Sequence, residues 1–224
     1  MKVLIACEES QAVTIEMRKL GHEAFSCDVL DCSGGHPEWH IKGDCIPLLN
    51  GRCSFRTVDG EQHEISDRWD MIIGFPPCTY LSNAGACRLY PKKGQLDMDR
   101  YQKGLEAKAF FLTILNADCP KVAVENPVSS KVFDMPKHTQ EIQPWMFGHP
   151  FTKKTRLWLR GGASASQIYR NCGSCWSLCL RKHRNLEKAG RSRCGIWQRK
   201  KCKAQKQNLS RCSKSHGRPV GRKE

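Results

Sequence analysis

Apolar residues along most of the chain occur in short runs of strand length, separated by stretches in which they recur with helical spacing. The run at residues 2–6 predicts a buried strand. Residues 11–20 predict a helix that turns Val13, Met17 and Leu20 inward and ends before a glycine. Residues 22–27 predict a second strand. These three elements together predict the first unit of a parallel α/β sheet.

Four later segments continue the pattern. Residues 71–73 and 121–125 predict buried strands, because both are short, apolar and rich in β-branched residues. Residues 41–45 predict a short strand that ends in Gly-Asp, and residues 152–160 predict a strand with a basic entrance. The alternation of strands and helices predicts an α/β fold with a doubly wound, Rossmann-like sheet.

The segments between these strands are predicted to be a helix, a hairpin and a loop. The longest predicted helix covers residues 95–116, residues 50–68 predict a polar hairpin or insertion, and residues 81–94 predict a loop suited to covering a nucleotide. The apolar face of the predicted helix consists of Leu105, Ala109, Leu112 and Leu115. The predicted loop carries the polar side chains Asn83, Arg88, Lys92 and Lys93.

Two reactive side chains follow predicted strands. Pro76 and Pro77 set a rigid bend that delivers Cys78 just beyond one strand, and Glu125 ends another. Parallel α/β sheets carry their chemistry in the crevice beyond the carboxyl ends of the strands, so a thiol there suits a nucleophile and a carboxyl group suits proton transfer. The alternatives are a buried structural cysteine and a salt-bridged strand end.

Charge is distributed unevenly along the chain. Residues 1–163 hold 20 Lys and Arg against 20 Asp and Glu, whereas residues 164–224 hold 17 basic residues and two acids. All of the net charge of +15 therefore lies in the last part of the chain. Such a block suits a phosphate backbone, although basic tails are often only solvated.

The composition also predicts a compartment. No apolar run is long enough to cross a membrane, and the first residues are typical of a strand rather than a secretory signal. We expect a cytoplasmic protein of a bacterial or phage-infected cell. We also expect it to be a monomer without membrane partners. In that compartment its 14 cysteines are expected to be thiols or metal ligands rather than disulfides.

The order of these motifs resembles that of the DNA cytosine-5 methyltransferases, and in particular the short phage and prophage proteins of that group. The resemblance covers residues 1–162. The Pro-Pro-Cys78 triplet matches the nucleophile loop, and Glu125 with Asn126 matches the pair that holds the target base. The resemblance implies a methyltransferase domain over residues 1–162 that acts on DNA.

The resemblance also implies S-adenosylmethionine as the cofactor. Asp28 matches the acidic residue that binds the ribose, and Asp44 matches the Gly-Asp step beside the adenine. Ala6, Glu8 and Pro76 occupy further positions that contact the cofactor in the family. The family's first loop is rich in glycine, and the corresponding loop here contains none. No metal ligand is implied in this domain.

DNA contacts are implied at four positions around the nucleophile, and a catalytic role at a fifth. Residues 152, 154 and 156 fall on the spacing of the family's Gln-x-Arg-x-Arg strand, which implies a catalytic role for Arg156 and DNA contacts for Lys153 and Lys154. Thr79, in place of the family's usual Gln, and Arg88 are the other expected DNA contacts.

The family's chemistry assigns each catalytic residue a task. Cys78 adds as a thiolate to C6 of cytosine, while a protonated Glu125 donates to N3 and so makes C5 nucleophilic. Arg156 or Lys154 is expected to depress the pKa of the thiol, and Asn126 to brace the Cys78 loop. The base must leave the duplex or be presented single-stranded.

The tail at residues 163–224 has three interpretations. Its high charge and weak periodicity favour disorder, whereas its six cysteines, two of them in Cys172-x-x-Cys175, could form a zinc module. Short phage members commonly end in Met-Ala-x-Gln-Trp-Gly, and the codons for residues 216–222 could encode that sequence if read one nucleotide later. The third interpretation is therefore a frameshifted C-terminus.

Two other functions remain open. The same Cys78 and Glu125 could serve a cytosine-modifying enzyme that uses another one-carbon donor, because the loop without glycine weakens only the cofactor assignment. The chain could instead be a catalytically silent DNA-binding protein that relies on its basic tail.

Overall fold

A computed structural model describes residues 1–92, 94–148 and 150–163. Most of the predicted tail therefore lies outside the described residues, and its three interpretations stay predictions. Among the described residues, no helix combines the length and the apolar content that a membrane crossing requires.

The described chain forms nine strands and three helices. The strands are β1 (Lys2–Ala6), β2 (Glu23–Asp28), β3 (His40–Lys42), β4 (Cys53–Arg56), β5 (Gln62–Ile65), β6 (Met71–Gly74), β7 (Val122–Pro127), β8 (Gln140–Ile142) and β9 (Thr155–Arg160). The helices are α1 (Ala12–Lys19), α2 (Asn83–Ala86) and α3 (Met98–Leu115). Short 3₁₀ turns lie at Pro37–Trp39, Ile46–Leu48, Lys131–Phe133 and Pro144–Phe147.

Seven strands form one mostly parallel sheet in the order β3-β2-β1-β6-β7-β9-β8. The first five strands in this order are parallel, β9 is antiparallel to β7, and β8 is antiparallel to β9. The chain order reverses between β1 and β6, which is where a doubly wound sheet opens its crevice. The prediction of an α/β fold with a parallel sheet is confirmed.

The core is divided between the two faces of this sheet. Val13 and Met17 of α1 pack with Val3 and Ile5 on one face, whereas Phe111 of α3 belongs to the cluster on the other face. Helices therefore cover both faces. The hairpin β4–β5 packs its Phe55 and Ile65 on the α3 side, which confirms the hairpin predicted for residues 50–68.

Several predicted details are wrong. Leu20 follows α1 and is 43% exposed, and Leu105 of α3 is also exposed. The buried face of α3 is formed by Gly104, Phe111 and Ile114, because this face meets β7 and the Lys131–Phe133 turn. Of the predicted residues, Leu112 and Leu115 are half-buried and pack against the same core cluster. The helix begins at Met98 and β9 at Thr155, both three residues later than predicted, and a short helix interrupts the loop at 81–94.

Candidate active site

The Pro-Pro-Cys segment forms a tight turn at the carboxyl end of β6. Pro76 is buried and Cys78 is half-buried. The Cys78 carbonyl accepts hydrogen bonds from the backbone N–H of Leu81 (3.1 Å) and of Ser82 (2.8 Å). The chain therefore doubles back immediately after Cys78 and holds this residue just beyond the strand, as the sequence predicts.

A small residue lets a helix approach this turn closely. Gly85 of α2 lies so near the turn that a Cβ atom there would be 2.3 Å from the carbonyl oxygen of Thr79. The Oγ1 atom of Thr79 is buried without a hydrogen-bond partner in the described part of the chain. The turn is therefore packed against α2 through its backbone, with little freedom to shift.

Arg100, which belongs to no motif of the sequence, fixes this contact. Its Nη2 donates to the carbonyl oxygens of Thr79 (3.3 Å) and Gly85 (3.1 Å), and its Cζ lies 5.0 Å from the ring centroid of Tyr80. One guanidinium of α3 thus joins the cysteine turn to α2. Arg100 and Thr79 are 21 residues apart in the sequence, and no local motif predicts their contact.

Glu125 lies beside this turn on the next parallel strand. Gly74 of β6 is paired with Val124 of β7, so the residue after Gly74 is level with Glu125. Burial raises the pKa of the Glu125 carboxyl, and the nearby Lys153 ammonium opposes part of that rise. The site therefore favours a protonated carboxyl next to the cysteine turn.

Asn126 is fully buried on the opposite face of β7 and ties down the segment that follows it. Its Nδ2 donates to the carbonyl oxygen of Pro127 (2.8 Å) and to Ser129 Oγ (2.9 Å). The segment 127–130 is in turn bonded to residues 81–83 by backbone hydrogen bonds. Asn126 thus supports the Cys78 turn through a neighbouring segment.

The two cations expected beside Cys78 are held by an acid instead. Lys154 Nζ lies 2.9 Å and Arg156 Nε 3.7 Å from the carboxylate of Glu141 on β8. Arg156 is paired with Asn126, so it projects to the face of the sheet opposite Glu125. Lys153 is the basic residue that acts on the Glu125 carboxyl.

The first loop turns without glycine. Cys7 has φ 64° and Gln11 has φ 56°, so two L-residues adopt the left-handed conformation that glycine usually provides. The backbone N–H groups of Cys7 and Glu8 both donate to the Cys27 carbonyl, at 2.7 and 3.2 Å. Ala6, at the end of β1, is fully buried.

The Glu8 side chain points into the first turn of α1. Its carboxylate accepts hydrogen bonds from Val13 N (2.6 Å), Thr14 N (3.2 Å) and Thr14 Oγ1 (2.7 Å). Burial raises the pKa of this carboxyl to about 7, although the hydrogen bonds favour the charged form. The Glu8 carboxyl expected at the cofactor is therefore bonded to α1, and its backbone N–H to Cys27.

The two acids expected at the cofactor lie at the ends of neighbouring strands. Asp28 ends β2, is 3% exposed and accepts a hydrogen bond from Leu30 N through Oδ1 (3.1 Å). Asp44 follows β3, is half-buried and accepts one from Ile46 N (3.0 Å). Both occupy the carboxyl edge of the sheet, on the β2–β3 side of the reversal.

The remaining candidates lie around this edge. Arg88 is exposed in the segment between α2 and α3, and Lys154 is exposed before β9. His, Cys, Asp and Glu side chains form no group of three or more suited to a metal ion within the described residues. The structure thus aligns Cys78 and Glu125 on one side of the crevice and the two aspartates on the other.

No protein-family model matches this sequence, and no curated protein is significantly similar to it. One similar solved structure is from E. coli and is named as a candidate DNA modification methyltransferase encoded within a prophage. It is 14% identical, with a TM-score of 0.38, over 71% of this chain and 46% of that one. This chain thus matches less than half the length of that protein.

Proposed function

We propose that this protein is a DNA cytosine-5 methyltransferase that uses S-adenosylmethionine. The proposal is supported by one observation: the Cys78 turn follows β6 at the same end of the sheet as Glu125 on the adjacent parallel strand β7. Asp28 and Asp44 lie at this end of the sheet too, beyond the point between β1 and β6 where the strand order reverses. A thiol and a carboxyl held at one crevice are what addition to a pyrimidine ring requires.

The chain's own residues account for activation of the base. The Cys78 thiolate adds to C6 of a cytosine that has left the duplex, and the Glu125 carboxyl donates its proton to N3, so that C5 becomes electron-rich. The raised pKa of Glu125 supports this donor role, because a buried carboxyl retains its proton at higher pH. After C5 is methylated, loss of the C5 proton to a base expels the thiolate and restores the ring.

The cofactor residues fit this assignment. The carboxylates of Asp28 and Asp44 are acceptors suited to ribose hydroxyls and an adenine amino group, and positive φ at Cys7 and Gln11 supplies the turns that the missing glycines would have made. Bound there, S-adenosylmethionine would supply an electrophilic methyl group. The Glu8 carboxyl already occupies the N-terminus of α1.

The proposal is tested by covalent trapping. The full chain is mixed with S-adenosylmethionine and DNA that contains 5-fluorocytosine, because the fluorine at C5 blocks the final elimination. A denaturing gel should show a protein–DNA adduct with the wild type and none with Cys78→Ser. Cys87→Ser, which removes an exposed thiol of the neighbouring helix region, is the matched control and should retain the adduct.

An adduct that survives Cys78→Ser would refute the nucleophile. The experiment is repeated with S-adenosylmethionine that carries a labelled methyl group. An adduct that forms without incorporation of this label would favour another one-carbon donor. Glu8 is the observation that keeps this second function open, since its carboxylate occupies the helix terminus beside the expected methionine end.

A further inference from the structure

The loop at 143–154 lies at the same edge of the sheet as Cys78 and Glu125. Strand β9 is antiparallel to β7, and β8 is antiparallel to β9, so β8 runs parallel to β7. The carboxyl end of β8 and the start of β9 therefore both lie at the carboxyl edge of the parallel strands. The loop that joins them borders the candidate active site.

Two aromatic residues anchor this loop. Phe147 and Phe151 pack against the core cluster that contains Ile142 and Leu157, and Phe75, just before the cysteine turn, packs on the same cluster. Pro144 is buried and begins a 3₁₀ turn. The loop is thus held by its own apolar side chains on the face of the sheet to which Glu125 projects.

Between the buried Pro144 and the anchor Phe147, two large apolar side chains point outward. Trp145 is 56% exposed and Met146 is 49% exposed, and we name this pair the Trp145 ridge. Backbone hydrogen bonds from Met146 N to Gln143 O (3.0 Å) and from Gly148 N to Trp145 O (3.2 Å) fix the turn that presents it. A single exposed apolar residue is ordinary, but two adjacent ones on an anchored turn beside a reactive site form a contact surface.

The charge of the segment that carries the ridge points to its partner. From residue 141 to residue 156 the chain holds three basic residues, Lys153, Lys154 and Arg156, and one acid, Glu141, which pairs with Lys154 and Arg156, so the segment keeps a positive balance. Lys153 also acts on the Glu125 carboxyl, which joins this basic segment to the candidate active site. An aromatic side chain next to cations suits a nucleic-acid strand, since the rings stack on bases while the cations meet phosphates.

We propose that the Trp145 ridge stacks on a DNA base beside the extruded cytosine. This inference rests on the proposed function, because extrusion of one base leaves its neighbours without a stacking partner. Apolar side chains that fill such gaps are a general device of proteins that distort DNA. The ridge supplies the stack, and Lys153 holds an adjoining phosphate.

The test is a binding titration of the full chain in the Cys78→Ser background, where no adduct forms. A cytosine-containing oligonucleotide is titrated at several salt concentrations. Trp145→Ala should raise Kd by about 5- to 100-fold at every salt concentration with an unchanged salt slope, because a stack releases no counterions. Trp145→Phe should recover most of the affinity.

Leu20→Ala is the matched control. Leu20 is 43% exposed, and it lies between α1 and β2, at the opposite edge of the sheet. Its substitution should leave Kd unchanged. Equal affinity of Trp145→Ala and its parent would overturn the inference, and so would a loss of affinity accompanied by a shallower salt slope, which indicates displaced basic groups. A change of sedimentation coefficient in Trp145→Ala would show that the ridge joins two copies of the chain, and would also overturn it.

The two proposals fail separately. If the 5-fluorocytosine adduct is absent but Trp145→Ala weakens DNA binding, methyl transfer is refuted and the base contact stands. If the adduct forms and Trp145→Ala binds like its parent, the ridge has no such role and the methyltransferase stands.

Discussion

The Glu8 side chain links the first loop to the start of α1. The first loop has no glycine, and the carboxylate of Glu8 turns back to accept the N–H groups of Val13 and Thr14 at the start of α1. A carboxylate at this place offsets the partial positive charge of a helix N-terminus. The same burial that allows this contact raises the pKa of the carboxyl to about 7.

This raised pKa makes stability depend on pH. In the unfolded chain Glu8 loses its proton near its ordinary pKa of 4.5, whereas in the folded chain it does so near 7. Raising the pH between these values therefore favours unfolding, and the Glu8 contribution falls by on the order of 3 kcal/mol. Chemical denaturation from pH 4 to 8 should show this decline in the wild type and not in Glu8→Gln. Parallel profiles for the two proteins would contradict it.

The positions of Cys78 and Glu125 could be predicted from the sequence because each follows the apolar part of a strand. Their prediction required only the positions of β6 and β7 along the chain. Arg100 could not be predicted, because its hydrogen bonds join segments that the sequence does not place together. The pairing of Lys154 and Arg156 with Glu141 was equally hidden, since it depends on the unpredicted strand β8.

Among the elements, α3 shows that helical periodicity can mislead. The spacing of its leucines predicts that the face of Leu105 is buried. The buried face instead includes Gly104, because the absence of a side chain there leaves room for the ring of Phe133. A Cβ atom at Gly104 would lie 2.1 Å from that ring. The ring is buried and stacks on Tyr101 at 5.8 Å, so it has no room to withdraw.

Gly104→Ala should therefore destabilise the protein, although alanine is normally better than glycine inside a helix by about 0.5–1 kcal/mol. Overpacking of this kind costs about 1–3 kcal/mol. Urea denaturation should show a lower midpoint for Gly104→Ala, and Gly104→Ala with Phe133→Leu should recover part of the loss. A midpoint above that of the wild type would mean that α3 does not approach the Lys131–Phe133 turn so closely.

The strands were predictable to different degrees for a physical reason. Strands β1, β6 and β7 are covered on both faces and read as continuous apolar runs. Strand β8 (Gln140–Ile142) has three residues at the edge of the sheet, and only Ile142 is fully buried. Its existence depends on pairing with β9 rather than on a hydrophobic pattern of its own.

At the scale of the whole molecule, charge and chemistry occupy different parts of the chain. Residues 1–163 are neutral by formal count, and the net +15 belongs to residues 164–224. Each phosphate neutralised by a basic residue contributes about −0.9 to the slope of log K against log salt. The tail is therefore expected to govern non-specific affinity, and the sheet edge to govern the reaction.

Deletion of residues 164–224 separates these contributions. Non-specific DNA affinity should fall and its salt slope should become much shallower, as measured by titration at several salt concentrations. The 5-fluorocytosine adduct should still form when DNA is supplied at higher concentration. A silent DNA-binding protein would instead lose all affinity on deletion and show no effect of Cys78→Ser.

The position of β9 inside the sheet has a consequence for synthesis. During translation β7 and β8 leave the ribosome before β9, the strand that lies between them, so the nascent sheet carries an open apolar edge at Val122–Pro127 until Arg160 has emerged. Unpaired strand edges recruit other chains. Ribosomes stalled before Thr155 should therefore release aggregation-prone fragments, because these lack the strand that covers the edge of β7.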